Sequence, residues 1–280
     1  MKDLATQRPP GINTYSYIWS LPADQCLTAL MERGYREFEL MIHPPHLSFD
    51  RATAEYQALR RVMLGGEAKV HSLNLPSLDT NLASVFTDMR AFSQGMFRKA
   101  LELCSSLEVP YLVTVPGRVS PLFPPDRAVT RDLMQRSIEA LLPDAERLGV
   151  KLAIENVPFA SFPEAQSVVE FVTAMASPHL AIVYDVANAH FIGEDPASGI
   201  EAVQDYLAVV HFSDTTRSAW RHDPIGEGDL DFSAACAALD QISWSGPVMM
   251  EIISNEPGPA IERSHRALTR HGFPAPSGQH

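Results

Sequence analysis

The chain reads as one α/β domain, a closed (β/α)8 barrel, on three observations. Its 280 residues suit such a barrel, whose usual size is about 250 residues. Strand-like and helix-like segments alternate along its whole length. The strand-like runs are continuously apolar, as in parallel strands buried on both faces. A doubly wound open sheet is the alternative, but no GxGxxG follows the first strand.

The first predicted strand is INTYSYIW (12–19), followed by an amphipathic helix over 22–33. REFELMI (36–42) leads to a helix over 49–63. KVHSLNL (69–75) passes through a long loop to a helix over 93–106, and PYLVTV (110–115) passes through a Pro-rich loop to 131–148. KLAIEN (151–156) precedes a helix over 163–176, with Pro163 expected in its first turn. LAIVYD (180–185) precedes 197–206, and LAVVHF (207–212) precedes 232–242, for which Asp231 is the expected N-cap. PVMMEII (247–253) precedes 260–271. The segments 1–10 and 272–280 are polar or contain Pro and Gly and are expected to be loose. No linker divides the chain, so 1–280 is read as one domain.

Lys and Arg number 22 against 34 Asp and Glu, a net charge of −12. Such a surface repels nucleic-acid phosphates and anionic membranes, and no Lys/Arg-rich run offsets it. A small-molecule partner is therefore expected, with no nucleic acid and no membrane. Cys26, Cys104 and Cys236 are odd in number and form no CxxC pair, so they are read as reduced core thiols. The opening MKDLATQRPPG has no apolar core of a secretory signal, and no run approaches the roughly 20 apolar residues of a membrane span. A cytoplasmic protein is expected. Helix faces carrying Phe and Met leave room for a homo-oligomer. No GxSxG, GxxxxGK[ST] or HExxH is present.

Four polar residues end four of the later apolar runs: Glu155, Asp185, His211 and Glu251. The C-terminal strand ends of such a barrel form its active-site mouth. Each residue alone reads equally as a rim carboxylate, a turn cap or a core histidine. Together, several carboxylates at one mouth require a neutralising cation or proton. Carboxylates and imidazole without thiolate suit one divalent metal ion, Mn²⁺ or Mg²⁺ before Zn²⁺ or Co²⁺. His43, in the loop after the second strand, is a further candidate for the mouth, and His71 within the third strand is read as interior.

These residues, with NLAS (81–84), AIENVP (153–158), YDVANA (184–189), HFSD (211–214), GEGDLDF (226–232) and MMEI (249–252), carry a family resemblance. The chain resembles the xylose isomerase-like TIM barrel superfamily, the sugar-phosphate isomerases and epimerases that include endonuclease IV. The resemblance implies that Glu155, Asp185, His211 and Glu251 are the metal ligands. It implies substrate contacts for Arg217, six positions after the metal histidine, and for His222 before the GEG loop. Where the trinuclear endonucleases carry further ligands, this chain has Asn74, Val115, Asn188 and Trp220, which points to one metal and away from DNA repair. The ketose 3-epimerases carry His and a second Glu where this chain has Asn188 and Ser161. Asn188 and Asn74 remain candidates for substrate hydrogen bonds.

The expected reaction is isomerisation or epimerisation of a small keto-sugar, sugar phosphate or polyol-derived substrate through a metal-stabilised enediolate. Glu155 and Glu251 would move protons while Asp185 and His211 hold the metal. The alternative is a metal-dependent dehydratase of a cyclic polyol ketone or related keto acid, which shares the proton abstraction. A non-catalytic barrel with a structural metal is a third reading, disfavoured by the two opposed glutamates.

Overall fold

In a computed structural model describing residues 8–276, eight parallel strands close into a barrel. The first half contributes β1 (Gly11–Asn13), α1 (Ala23–Glu32), β2 (Glu37–Met41), α2 (Ala54–Leu64), β3 (Lys69–Asn74), α3 (Thr87–Ser106), β4 (Tyr111–Thr114) and α4 (Arg127–Leu148). The second half contributes β5 (Lys151–Glu155), α5 (Ala165–Met175), β6 (Leu180–Asp185), α6 (Val186–Ile192), α7 (Pro196–Val203) and β7 (Leu207–Phe212). A hairpin of β8 (Asp214–Thr216) and β9 (Ala219–Asp223) follows, then α8 (Phe232–Gln241), β10 (Val248–Met250) and α9 (Pro257–Leu268). The hairpin forms its own two-stranded sheet, and β10 closes the barrel between β7 and β1.

The strands are apolar on both faces because they face two cores. Residues such as Ile12, Leu40, Leu152, Ile182, Val210 and Met250 pack outward into the large core beneath the helices. A separate small cluster, including Ala153, Val183, Val209 and Met249, fills the barrel interior. Successive side chains alternate between the faces, so the residue two positions further on also points inward. Two positions beyond those four residues stand Glu155, Asp185, His211 and Glu251. The apolar floor and the polar mouth are therefore one pattern continued upward.

Several boundaries differ from the sequence expectation. The first strand is only three residues long. Asn13 Oδ1 then accepts the Tyr15 N–H at 2.8 Å and turns the chain into a short 3₁₀ segment. Helices α3 and α4 begin earlier than expected; their opening residues, such as Met89, Phe92 and Val129, are exposed and show no regular apolar stripe in the sequence. Pro163 lies before α5, not in its first turn. Neither α6 nor the β8–β9 hairpin was expected. Asp231 caps α8 as read, accepting from Ala234 N at 3.1 Å. Phe273 lies in the segment expected to be loose, yet it is buried, with its ring 6.2 Å from that of Phe212. Of the two tails, residues 1–7 and 277–280 lie outside the described residues. The three cysteines are buried and unpaired. Among the described residues, no helix is long and apolar enough to cross a membrane.

Candidate metal centre

Glu155, Asp185, His211 and Glu251 converge at the C-terminal end of the barrel. One ligand atom from each lies within 4.8 Å of all the others. Register explains part of this. Asp185 and His211 are Cα partners across β6 and β7, and Met249, two residues before Glu251, pairs with His211. His211 Nδ1 is 3.1 Å from Glu251 Oε2, 3.4 Å from Glu155 Oε1 and 3.9 Å from Asp185 Oδ2. Despite this closeness, His211 Nδ1, Asp185 Oδ2 and Glu251 Oε2 are buried without an aligned hydrogen-bond partner. Unsatisfied buried polar atoms are costly. Three of them aimed at one point, all able to donate a lone pair, fit a divalent cation.

The opposite atoms of the same side chains are tied down. Asp185 Oδ1 caps α6 by accepting Asn188 N at 2.7 Å. Asn156 brackets the same residue, accepting Asp185 N at 2.7 Å and donating to its carbonyl at 2.9 Å. Glu251 Oε1 accepts from Asn13 Nδ2 at 3.2 Å. His211 Nε2 faces Glu39 Oε2 at 3.1 Å. Glu39 is itself held by Asn13 Nδ2 at 2.7 Å, Asn74 Nδ2 at 3.1 Å and the Ser72 hydroxyl. With Nε2–H given to Glu39, the neutral imidazole presents its Nδ1 lone pair to the centre.

Electrostatics show that a positive charge is wanted here. Burial pushes Asp185 up to about 6, with His222 opposing and Glu251 reinforcing the rise. Burial also raises Glu155, against the pull of His211. Burial alone would depress His211, but Glu39 and Glu251 outweigh it and hold the imidazole well above its ordinary range. Burial likewise opposes ionisation of Glu39, yet His211, Ser72 and Asn74 keep its carboxyl below the usual range. Without a metal, a proton on His211 does part of the work of a cation.

Above the centre lies a cavity of about 490 Å³. Glu155 and Glu251 line it, whereas the wholly buried Asp185 and His211 do not. Asn74, Asn188 and His222, the candidate substrate contacts of the sequence reading, also line it. The Asn74 amide N–H₂ is engaged with Glu39, and Asn188 Oδ1 accepts the Trp220 indole N–H at 2.7 Å. His222 Nδ1 is 2.9 Å from Ser213 Oγ, 3.5 Å from Glu251 Oε2 and 3.7 Å from Asp185 Oδ2. Two candidates fall elsewhere. Arg217 sits in the hairpin turn and reaches the Gly193 carbonyl at 3.4 Å, away from the cavity lining. His43 also stays off the lining and packs edge-on against Trp19, ring centres 4.4 Å apart. His71 is buried with Nε2 3.2 Å from Glu37 Oε2. Sequence reasoning missed Glu39 and Asn13; the signal available for Glu39 was a carboxylate among the apolar residues Phe38, Leu40, Met41 and Ile42.

The closed parallel barrel thus brings three carboxylates and one imidazole, a set that could hold a metal ion, together at its strand ends. The chain belongs to the xylose isomerase-like TIM barrel family, whose sequence profile matches residues 27–271. It is 28% identical over 193 residues to an uncharacterized protein of Methanocaldococcus jannaschii, a match covering 66% of this chain and 64% of that protein. It is 23% identical over 263 residues to the L-ribulose-5-phosphate 3-epimerase UlaE of Salmonella heidelberg, covering 90% of this chain and 89% of the relative. Its fold superposes on the crystal structure of the IOLI protein with a bound zinc atom at a TM-score of 0.80, with 18% identity, covering 94% of this chain and 98% of that one.

Proposed function

We propose that the chain is a divalent-metal-dependent isomerase or epimerase of a small keto-sugar or keto-sugar phosphate. The observation that carries this is the division among the four convergent residues. Asp185 and His211 are wholly enclosed, while Glu155 and Glu251 reach the cavity from β5 and from just beyond β10, either side of the β6–β7 pair. Two enclosed ligands hold; two open carboxylates, approaching from different sides, also touch what binds above. The similarity to a ribulose-phosphate epimerase supports the same class.

Glu155, Asp185, His211 and Glu251 would hold the cation, which would supply Lewis-acid polarisation of a substrate carbonyl. The carboxylate-rich set favours Mn²⁺ or Mg²⁺, with Zn²⁺ and Co²⁺ admissible. Glu155 reaches the cavity, so a carboxylate oxygen not held by the cation would be placed to take a proton from carbon beside a carbonyl. Glu251, with Oε1 fixed by Asn13, would return a proton on the other side. The Asn188–Trp220 pair and His222 orient the substrate and narrow the cavity.

Metal analysis of purified protein and of its variants tests this reading. Asp185→Ala should lose the ion. Glu155→Gln should retain an ion, with weakened affinity, yet lose proton exchange on a ketose. A protein that binds no divalent ion, or a Glu155→Gln variant that exchanges as well as the parent, would contradict it.

A further inference from the structure

The NLAS segment takes no part in the metal centre. Asn81 instead clamps the backbone of Arg118: its Oδ1 accepts Arg118 N at 3.1 Å and its Nδ2 donates to the Arg118 carbonyl at 2.9 Å. Gly117, just before, has φ +73°, and a Cβ there would overlap that of Ala83, so the two loops can meet this closely only at glycine. From the third side, Arg118 bridges Ala160, and Val119 N donates to the Phe159 carbonyl at 2.8 Å. The loops after β3, β4 and β5 thus converge to fix one arginine.

Its side chain lines the cavity. The guanidinium donates to the Ser77 carbonyl at 3.3 Å and, among the described residues, meets no carboxylate within ion-pair distance. Arg221 also lines the mouth, but Asp223 Oδ2 lies 3.8 Å from it. The phenol of Tyr15, on the same cavity wall, is within electrostatic reach of both Glu251 and Arg118. A single cavity therefore has two carboxylates, Glu155 and Glu251, at its floor and an uncompensated cation at its mouth.

We propose that Arg118 anchors a terminal anionic group of the substrate, a phosphate monoester or a carboxylate, held at the end remote from the metal centre. The proposal rests on the isomerase reading for the rest of the substrate. Guanidinium matches both anions through paired N–H donors. The floor carboxylates repel an anion placed near them, which sets the orientation. In a chain of net charge −12, a cation at the mouth also offsets repulsion of an incoming anion.

The test is isothermal titration of the full chain, with and without Mn²⁺, using L-ribulose, L-ribulose 5-phosphate and a ketohexuronate. At least one anionic ketose should bind about tenfold or more tightly than L-ribulose, and the tighter of the two identifies the anion. Arg118→Met should remove that difference while changing affinity for L-ribulose less than about twofold, and Arg118→Lys should keep part of it. Equal binding of neutral and anionic ketoses, no binding of either anion, or an equal loss for all three in Arg118→Met overturns the proposal. Turnover is followed separately: a charge preference that depends on Arg118 without any proton exchange refutes the isomerase reading and leaves the anchor standing.

Discussion

Glu39 and His211 meet across the barrel interior, Oε2 to Nε2 at 3.1 Å, both wholly buried. Strands β2 and β7 are not neighbours; β1 and β10 stand between them. The contact therefore fixes His211 from the side opposite the converging oxygens of Glu155, Asp185 and Glu251. Asn13 serves both halves of this arrangement, donating to Glu39 at 2.7 Å and Glu251 at 3.2 Å.

Glu39→Gln should weaken divalent-metal affinity by about 10–100-fold, because the amide no longer secures the tautomer that frees Nδ1. Competition against a chromogenic chelator measures this. Unchanged affinity would mean that packing alone orients His211.

Metal affinity should fall as pH drops through about 6, where Asp185 takes up a proton. His211, raised in the metal-free protein, must also give up its proton, so binding should release protons near neutrality. Calorimetry in buffers of different ionisation enthalpy counts them. The same shift bears on stability. A carboxyl raised in the folded state favours folding when protonated, and that contribution is lost as pH rises from the unfolded value, about 4, to about 6. Mn²⁺ should accordingly raise the melting temperature more at pH 8 than at pH 5.

Arg217→Ala should change kcat/KM by less than about threefold, since its guanidinium reaches the Gly193 carbonyl outside the cavity and is exposed. The family resemblance implies a large loss instead. Steady-state kinetics on a ketose and its phosphate decide between them.

Gly228→Ala should destabilise the protein by roughly 1–3 kcal/mol, as expected for overpacking. A Cβ at Gly228 would overlap the Thr215 carbonyl and Asp214 Oδ1. Asp214 is the post of this loop, accepting from Gly226 N at 2.8 Å and Leu230 N at 3.2 Å. Chemical denaturation gives the stability difference.

The four convergent residues were readable because each stands two positions beyond an apolar interior residue, at the end of a run. Glu39 was not, because it lies inside REFELMI, where nothing local says that its partners come from β1, β3 and β7. Arg217, implied as a substrate contact by the family resemblance, lies off the cavity lining for a different reason. Counting six residues from His211 ignores that β8 and β9 turn the chain back, leaving Arg217 at the turn and bringing Trp220 and His222 to the cavity. Arg118 depends on three loops meeting, which no short stretch encodes.

The most direct measurement is mass spectrometry of a ketose or ketose phosphate incubated in D₂O with the Mn²⁺-loaded protein. The account predicts one deuterium at the carbon beside the carbonyl, an unchanged carbon skeleton, and loss of exchange on chelation or in Glu155→Gln. Product lighter by one water, or exchange indifferent to both the metal and Glu155, would contradict it.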